Sequence, residues 1–203
     1  MKPAKPAPPV PAGRWQACTG FTLIELLLTI VVASILLGLA VPAFRSFMQN
    51  DQQWVQQQNL LLSLNTARSE AIKNDTTMNF PAPAAAQGGA QICSSTNGVT
   101  CTNTPWEQGW IVLGVDPANP GNPAKPLQVV GALPPGTTLT EVGGNLAVTF
   151  LSNGAVVAPV AFRMCDIRGP TFARYLQVTA MGRVLASSTP GMDLTNTPIA
   201  ACP

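Results

Sequence analysis

From Phe21 to Phe44 the chain is apolar almost without interruption, and the one ionisable side chain in that stretch is Glu25. As a helix rising 1.5 Å per residue it would extend about 36 Å, enough to cross a hydrocarbon core of about 30 Å. Beyond it the apolar positions thin out but keep a helical period. Leu60, Leu64, Ala67 and Ala71 form a stripe, Arg68, Glu70 and Lys73 fall off it, and Asn74-Asp75 ends it. The pattern predicts one long helix from Phe21 to Lys73, half in lipid and half on a head domain. Pro42 should bend or loosen it, because proline lacks an amide donor and clashes with the preceding turn. After Asp75 the period shortens. Apolar runs predict strands near Trp110–Val115, Leu127–Val130, Ala147–Leu151, Ala155–Val157, Ala161–Met164, Tyr175–Thr179 and Arg183–Ala186. Ser152-Asn153-Gly154, between two such runs, is a hairpin signal.

Composition refines this picture. The chain has 17 glycines and 20 prolines, and only 10% of its residues are charged. That mixture suits short strands joined by many turns. The remainder after the helix, about 130 residues, is a normal size for one domain. The expected fold is α+β, a long N-terminal helix against a mainly antiparallel β-sheet head.

Glu25 decides how the apolar segment is read. A carboxylate at membrane depth costs about 2.5–3.5 kcal/mol on insertion scales, so something must compensate it. Cutting between Gly20 and Phe21 would create an α-amino group, with a reference pKa of about 7.7–8. Glu25 of one subunit would then pair with the Phe21 ammonium of its neighbour inside an apolar bundle. Thr22 and Thr29 share a helical face with Glu25, either facing subunits or simply tolerated there. Residues 1–20 do not read as a secretory signal, which needs an apolar core before its cleavage site. They carry Lys2, Lys5, Arg14, no acid, and prolines from Pro3 to Pro11. The positive-inside rule places this segment in the cytoplasm and residues 45–203 outside.

Gly20-Phe21-Thr22-Leu23-Ile24-Glu25-Leu26 resembles the processing site of type IV pilins and type II secretion pseudopilins. The resemblance implies that prepilin peptidase cuts after Gly20 and methylates the amine of Phe21. It implies a leader over residues 1–20, a transmembrane and assembly helix over 21–44, its continuation over 45–75, and a β-rich extracytoplasmic head over 76–203. A proline at position 42 also fits pilins. The bland alternative is a signal anchor that happens to hold one Glu. Further stretches, Leu64-Asn65-Thr66-Ala67-Arg68-Ser69-Glu70-Ala71-Ile72-Lys73, Trp106-Glu107-Gln108-Gly109-Trp110-Ile111-Val112, and Cys165-Asp166-Ile167-Arg168-Gly169-Pro170 with Gly182-Arg183-Val184, resemble the GspH/FimT group. Trp106 and Trp110 themselves read as large side chains completing the sheet core.

That group implies a single-pass inner-membrane subunit with a periplasmic head, assembled with other major and minor subunits by an inner-membrane platform. The favoured parent machine is a type IV pilus, since the tail after Cys165 is FimT/FimU-like. A type II secretion pseudopilus is the alternative, and DNA binding during natural transformation is a second one. The DNA-binding motif of some FimT-type proteins is Gly-Arg-x-Arg, whereas this chain has Gly182-Arg183-Val184-Leu185. Arg183, Arg174 and Arg168 are the candidate contacts. From Asp51 onward eight acids outnumber seven bases, but Arg163, Arg168, Arg174 and Arg183 face only Asp166 between positions 163 and 183. If they converge they would hold phosphates without reading sequence; otherwise they pair with acids or project from turns.

Five cysteines are present, and Cys18 lies in the leader. The other four, in an extracytoplasmic domain, imply two disulfides with three possible connectivities. Cys93–Cys101 across a polar loop and Cys165–Cys202 at the C-terminus are favoured. Zinc is the competing use, disfavoured by the lack of histidine and of C-x-x-C spacing. No imidazole base, phosphate loop or paired carboxylates suggest catalysis or a cofactor. The expectation is a structural protein, with Gly20 and Phe21 as substrate residues of a peptidase.

Overall fold

The computed structural model describes residues 20–75, 77–80, 86–102, 104–115 and 124–202. The candidate leader, save Gly20, and Cys18 lie outside them. Helix α1 runs from Leu23 to Asn74 with Pro42 inside it, within a residue or two of the expected limits. Two compact units divide the chain between Arg45 and Ser46.

In the first unit every described side chain is exposed. An 18-residue stretch of α1 is long and apolar enough to cross a membrane. Its hydroxyls need no outside partner: Thr29 Oγ1 donates to Leu26 O and Ser34 Oγ to Val31 O, each at 2.8 Å.

The second unit packs the rest of α1 against strands. Leu60, Leu64, Ala67 and Ala71, the predicted stripe, are at most 1% exposed. Ten strands follow: β1 (Met78–Phe80), β2 (Ala86–Gly88), β3 (Ala90–Ser94), β4 (Trp110–Gly114), β5 (Lys125–Val130), β6 (Thr138–Glu141), β7 (Ala147–Phe150), β8 (Val160–Cys165), β9 (Arg174–Val178) and β10 (Val184–Ala186). They are all antiparallel, but form two four-stranded sheets rather than one, in the orders β5-β4-β3-β7 and β10-β9-β8-β6, with β1-β2 as a separate ribbon.

Trp110 and Trp106 join the core, as expected. Trp110 is fully buried, and its Nε1 donates to Ser63 Oγ at 3.0 Å, which in turn donates to Asn59 O at 2.8 Å. A buried indole needs such a partner for its polar edge. Trp106 meets the Phe162 ring edge-on at 4.9 Å.

Strands β1, β2, β3 and β6 were not predicted. The central β3 reads Ala90-Gln91-Ile92-Cys93-Ser94 yet is buried at all five positions. Its polar side chains are satisfied by distant residues: Gln91 Nε2 donates to Thr149 Oγ1 at 2.9 Å, and Ser94 Oγ to Thr102 O at 2.8 Å. Strand β6 ends in Glu141, only 5% exposed, whose carboxylate accepts the Asn145 and Ala161 amides.

One expected strand is absent. Ala155–Val157 forms only an isolated bridge, Val156 to Phe150. The turn at Ser152-Asn153-Gly154 is present, with Gly154 N–H donating to Leu151 O at 2.8 Å. Its second arm is shared between β7 and the β9–β10 turn: Val157 N–H reaches Thr149 O at 3.0 Å while Val156 N–H reaches Ala180 O at 3.1 Å. The segment ties that turn to β7 instead of extending a sheet.

Both disulfides form as favoured, Cys93–Cys101 and Cys165–Cys202, with Cα separations of 5.6 and 5.9 Å. The second closes a loop 37 residues long in sequence, for which the chain-entropy account gives about 3–4 kcal/mol. It holds the C-terminal tail to the end of β8.

Candidate functional site

Two regions carry the candidate residues. The first is the start of α1. Gly20 and Phe21 precede the helix and are exposed. Thr22 Oγ1 accepts the Glu25 amide at 3.3 Å, and Thr22 O accepts the Leu26 amide at 3.2 Å. Thr22 is therefore the N-cap and Glu25 the third helical residue. Thr22-x-x-Glu25 has the form of a capping box, in which the acid at that place also favours the helix N-terminus. Sequence reasoning placed Thr22 on a face and missed this role, although the S/T-x-x-E spacing signals it. The Glu25 carboxylate thus stands where a negative charge suits the helix N-terminus, besides any pairing with a neighbour. Leu23, Ile24, Leu26 and Leu27 around it all face outward in the isolated chain, from 49% to 78% exposed.

The second region is the arginine-rich tail of the head, whose arginines are engaged to different degrees. Arg168 is engaged: its Nε and Nη2 meet Asp166 Oδ2 at 2.8 and 2.6 Å, its Nη1 donates to Asn50 Oδ1 at 2.8 Å, and its guanidinium lies 4.3 Å over the Phe172 ring. Arg174 lines a small cavity with Gln57, Leu60, Phe162 and Leu176, and its Nε is buried without a hydrogen-bond partner. Burial, and then the positive charge of Arg168, lower its pKa. Arg163 pairs in register with Tyr175. The Tyr175 hydroxyl is pushed up by burial and by Asp193, against the opposing effect of Arg163. Of the four, Arg183 alone is classed as exposed.

Beside Arg183, Gly182 is held by the fold itself. Arg68 Nε donates to Gly154 O at 3.1 Å and Arg68 Nη2 to Met181 O at 3.2 Å, so the helix clamps the β7–β8 and β9–β10 turns together. Gly182 has φ +71°, and a Cβ there would land on the Gly154 carbonyl oxygen. Arg68, off the apolar stripe in sequence, is thus a half-buried tie between two turns. At the Leu185 position, β10 pairs with Gln177 of β9, and the leucine is half-buried.

The C-terminal tail has its own polar knot. Asp193 Oδ1 accepts the Thr195 and Thr197 amides at 2.8 and 2.9 Å and the Thr195 hydroxyl at 2.8 Å. The Thr197 amide first, then the Thr195 hydroxyl, hold the Asp193 carboxyl below its ordinary range. A depressed carboxyl lends stability that is present above its unfolded value of about 3.9 and lost as pH falls through its lower folded value. Protection of the Thr195 and Thr197 amides, taken relative to their intrinsic exchange rates at each pH, should therefore fall only below about pH 4. Protection unchanged down to pH 2 would show that the knot does not depend on this carboxylate.

A cavity of about 500 Å³ lies between Trp106, Glu107, Leu139, Glu141, Asn145 and Leu146. Its Glu141 is already committed to backbone amides. Among the described residues no group of three or more His, Cys, Asp or Glu side chains is placed to hold a metal ion.

Comparisons with known proteins agree with this anatomy. A family model described as Type II transport protein GspH matches residues 56–182, and one described as Prokaryotic N-terminal methylation motif matches residues 15–41. The type IV minor pilin FimU of Pseudomonas aeruginosa is similar in structure. One crystal form is 21% identical with a TM-score of 0.54, covering 77% of this chain and 98% of FimU. A second form is 20% identical with a TM-score of 0.49, covering 71% and 95%. At these identities the likeness concerns the fold. No curated protein sequence matches this chain. With the GspH match spanning most of the chain and the helix-on-sheets head in place, the chain belongs to the GspH family of minor pilins and pseudopilins.

Proposed function

We propose that this protein is a minor subunit of a type IV pilus, cleaved between Gly20 and Phe21, methylated on Phe21, and built into a filament through α1. The observation that carries the reading is the fully exposed apolar half of α1 with one acid, Glu25, five residues after Gly20. Such a surface is stable in lipid or against like helices and nowhere else. Extracted from the membrane, it packs among neighbouring helices, and Glu25 meets a Phe21 ammonium. Pro42 loosens the helix there. The disulfide-tied head presents its loops to other minor subunits. Prepilin peptidase and the inner-membrane platform are the partners of processing and assembly, and no catalytic role is assigned to the chain itself.

A second reading, a pseudopilin of a type II secretion system, is favoured by the description of the matching family model. Both readings share the processing chemistry and differ in the filament. Mass spectrometry of subunits in purified filaments is expected to find an N-terminal methylated Phe21. Recovery with sheared pili supports the pilus reading. Recovery only with secretion components would move the protein to the second, and an uncleaved N-terminus in filaments would overturn both.

A further inference from the structure

The loop from Cys165 to Gly169 is held in a way that leaves one apolar side chain outermost. Asp166 Oδ1 accepts the Arg168 amide at 2.9 Å, the Gly169 amide donates to Asp166 O at 3.1 Å, and the Arg168 guanidinium folds back onto Asp166 and Asn50. The charges of the loop are turned toward one another. Ile167, between them, is 79% exposed. Isolated exposed aliphatics are ordinary on protein surfaces, but this one borders an unsatisfied polar cleft. A cavity of about 70 Å³ is lined by Gln49, Gln53, Gly136, Thr137, Asp166 and Ile167. Gln53 is 3% exposed, and its Nε2 has no hydrogen-bond partner. A buried donor left unpaired is costly, so an acceptor from outside the chain is called for.

Chain connectivity says where that acceptor lies. Asn50, which anchors the loop through Arg168, is six residues beyond Phe44, the end of the apolar stretch. At 1.5 Å per residue that is at most about 9 Å above the end of the apolar stretch, and less as the helix tilts. The headgroup layers add roughly 5–7 Å on each side of the hydrocarbon core. An apolar tip beside a hydrogen-bond donor matches that layer, where acyl chains meet ester and phosphate oxygens.

We propose that the Ile167 tip and the Gln53 cleft form a lipid-contact site, which seats the head on phospholipid headgroups while the subunit waits in the membrane. This rests on the reading that residues 21–44 span the bilayer. The site takes an oxygen acceptor of a phospholipid at Gln53 and acyl or glycerol carbons at Ile167.

The test uses the full chain in vesicles of phosphatidylethanolamine and phosphatidylglycerol. A photo-crosslinking phenylalanine replaces, one at a time, Leu36 in the apolar half, Ile167, or Val157. Val157 is 57% exposed and lies near the turn that Arg68 clamps, about twenty helix residues further along. Mass spectrometry should find lipid adducts at 36 and 167 and their loss at 157. Adducts at 36 but not at 167, or equal adducts at 167 and 157, would overturn the lipid site alone. Adducts at 167 to a second copy of the chain would overturn it in favour of a subunit contact. Absence of adducts at all three positions would overturn the membrane reading on which it rests.

Discussion

Gly182→Ala is expected to destabilise the head by about 4 kcal/mol, near the extreme of single substitutions. Two costs combine at this position. A residue with φ of +71° places a non-glycine side chain in a sparsely populated region, at about 1–3 kcal/mol. The added Cβ also collides with the Gly154 carbonyl. That oxygen cannot retreat, because Arg68 Nε already holds it, and forced overpacking of this kind adds about 1–3 kcal/mol or more. The melting temperature of the full chain in detergent, followed by circular dichroism, should fall by about 10 °C or more. Arg183→Ala, one residue away and exposed, should stay within about 0.5 kcal/mol of the parent. An unchanged melting temperature for Gly182→Ala would show that the two turns do not touch as described. The comparison matters for nucleic-acid readings of Gly182-Arg183: the glycine is demanded by packing, so any loss of binding must be traced to the Arg183 change and not to a disordered turn.

Glu25→Ala is expected to leave the subunit membrane-inserted and cleavable but to reduce its recovery in sheared filaments by a hundredfold or more. The estimate follows from removing one partner of a buried ion pair, which costs about 3–5 kcal/mol. Insertion is unharmed or helped, since a carboxylate at membrane depth is itself unfavourable. Glu25→Gln separates the two uses of this side chain. Glutamine still serves at the third position of a capping box begun by Thr22, but carries no charge. Failure of both variants to assemble supports pairing with the Phe21 ammonium. Normal assembly of Glu25→Gln would make Glu25 a helix-capping residue, and normal recovery of Glu25→Ala would sink the pairing idea.

The long helix and its two halves were legible because they rest on local periodicity. Residues three and four apart share a face, so Leu60, Leu64, Ala67 and Ala71 announce a buried stripe. The unbroken run before Arg45 announces a stretch long and apolar enough to cross a membrane. Both tryptophans were legible by their bulk, while four cysteines left three connectivities open, of which the structure forms the favoured one. Strand β3 was not legible. Its burial depends on Thr149 and Thr102, partners 58 and 8 residues away, and no window of sequence records who satisfies a buried glutamine. The Ala155–Val157 run failed in the opposite sense. It is apolar enough for a strand, but its amides are divided between β7 and the β9–β10 turn.

The candidate sites divide along the same line. The spacing of Gly20, Phe21 and Glu25 is a local property, and the amino-acid sequence alone determined it, together with the membrane-length helix, the cysteine framework and the α+β class. Tertiary structure alone decided that there are two sheets and that Arg68 is a tie between turns. It also decided that Arg168 is spent on Asp166 and Asn50 while Arg183 stays exposed, and that Ile167 stands outermost. Those outcomes depend on which charges, carbonyls and rings meet across long separations. Such meetings are set by packing, where one guanidinium can satisfy groups that sequence keeps more than a hundred residues apart.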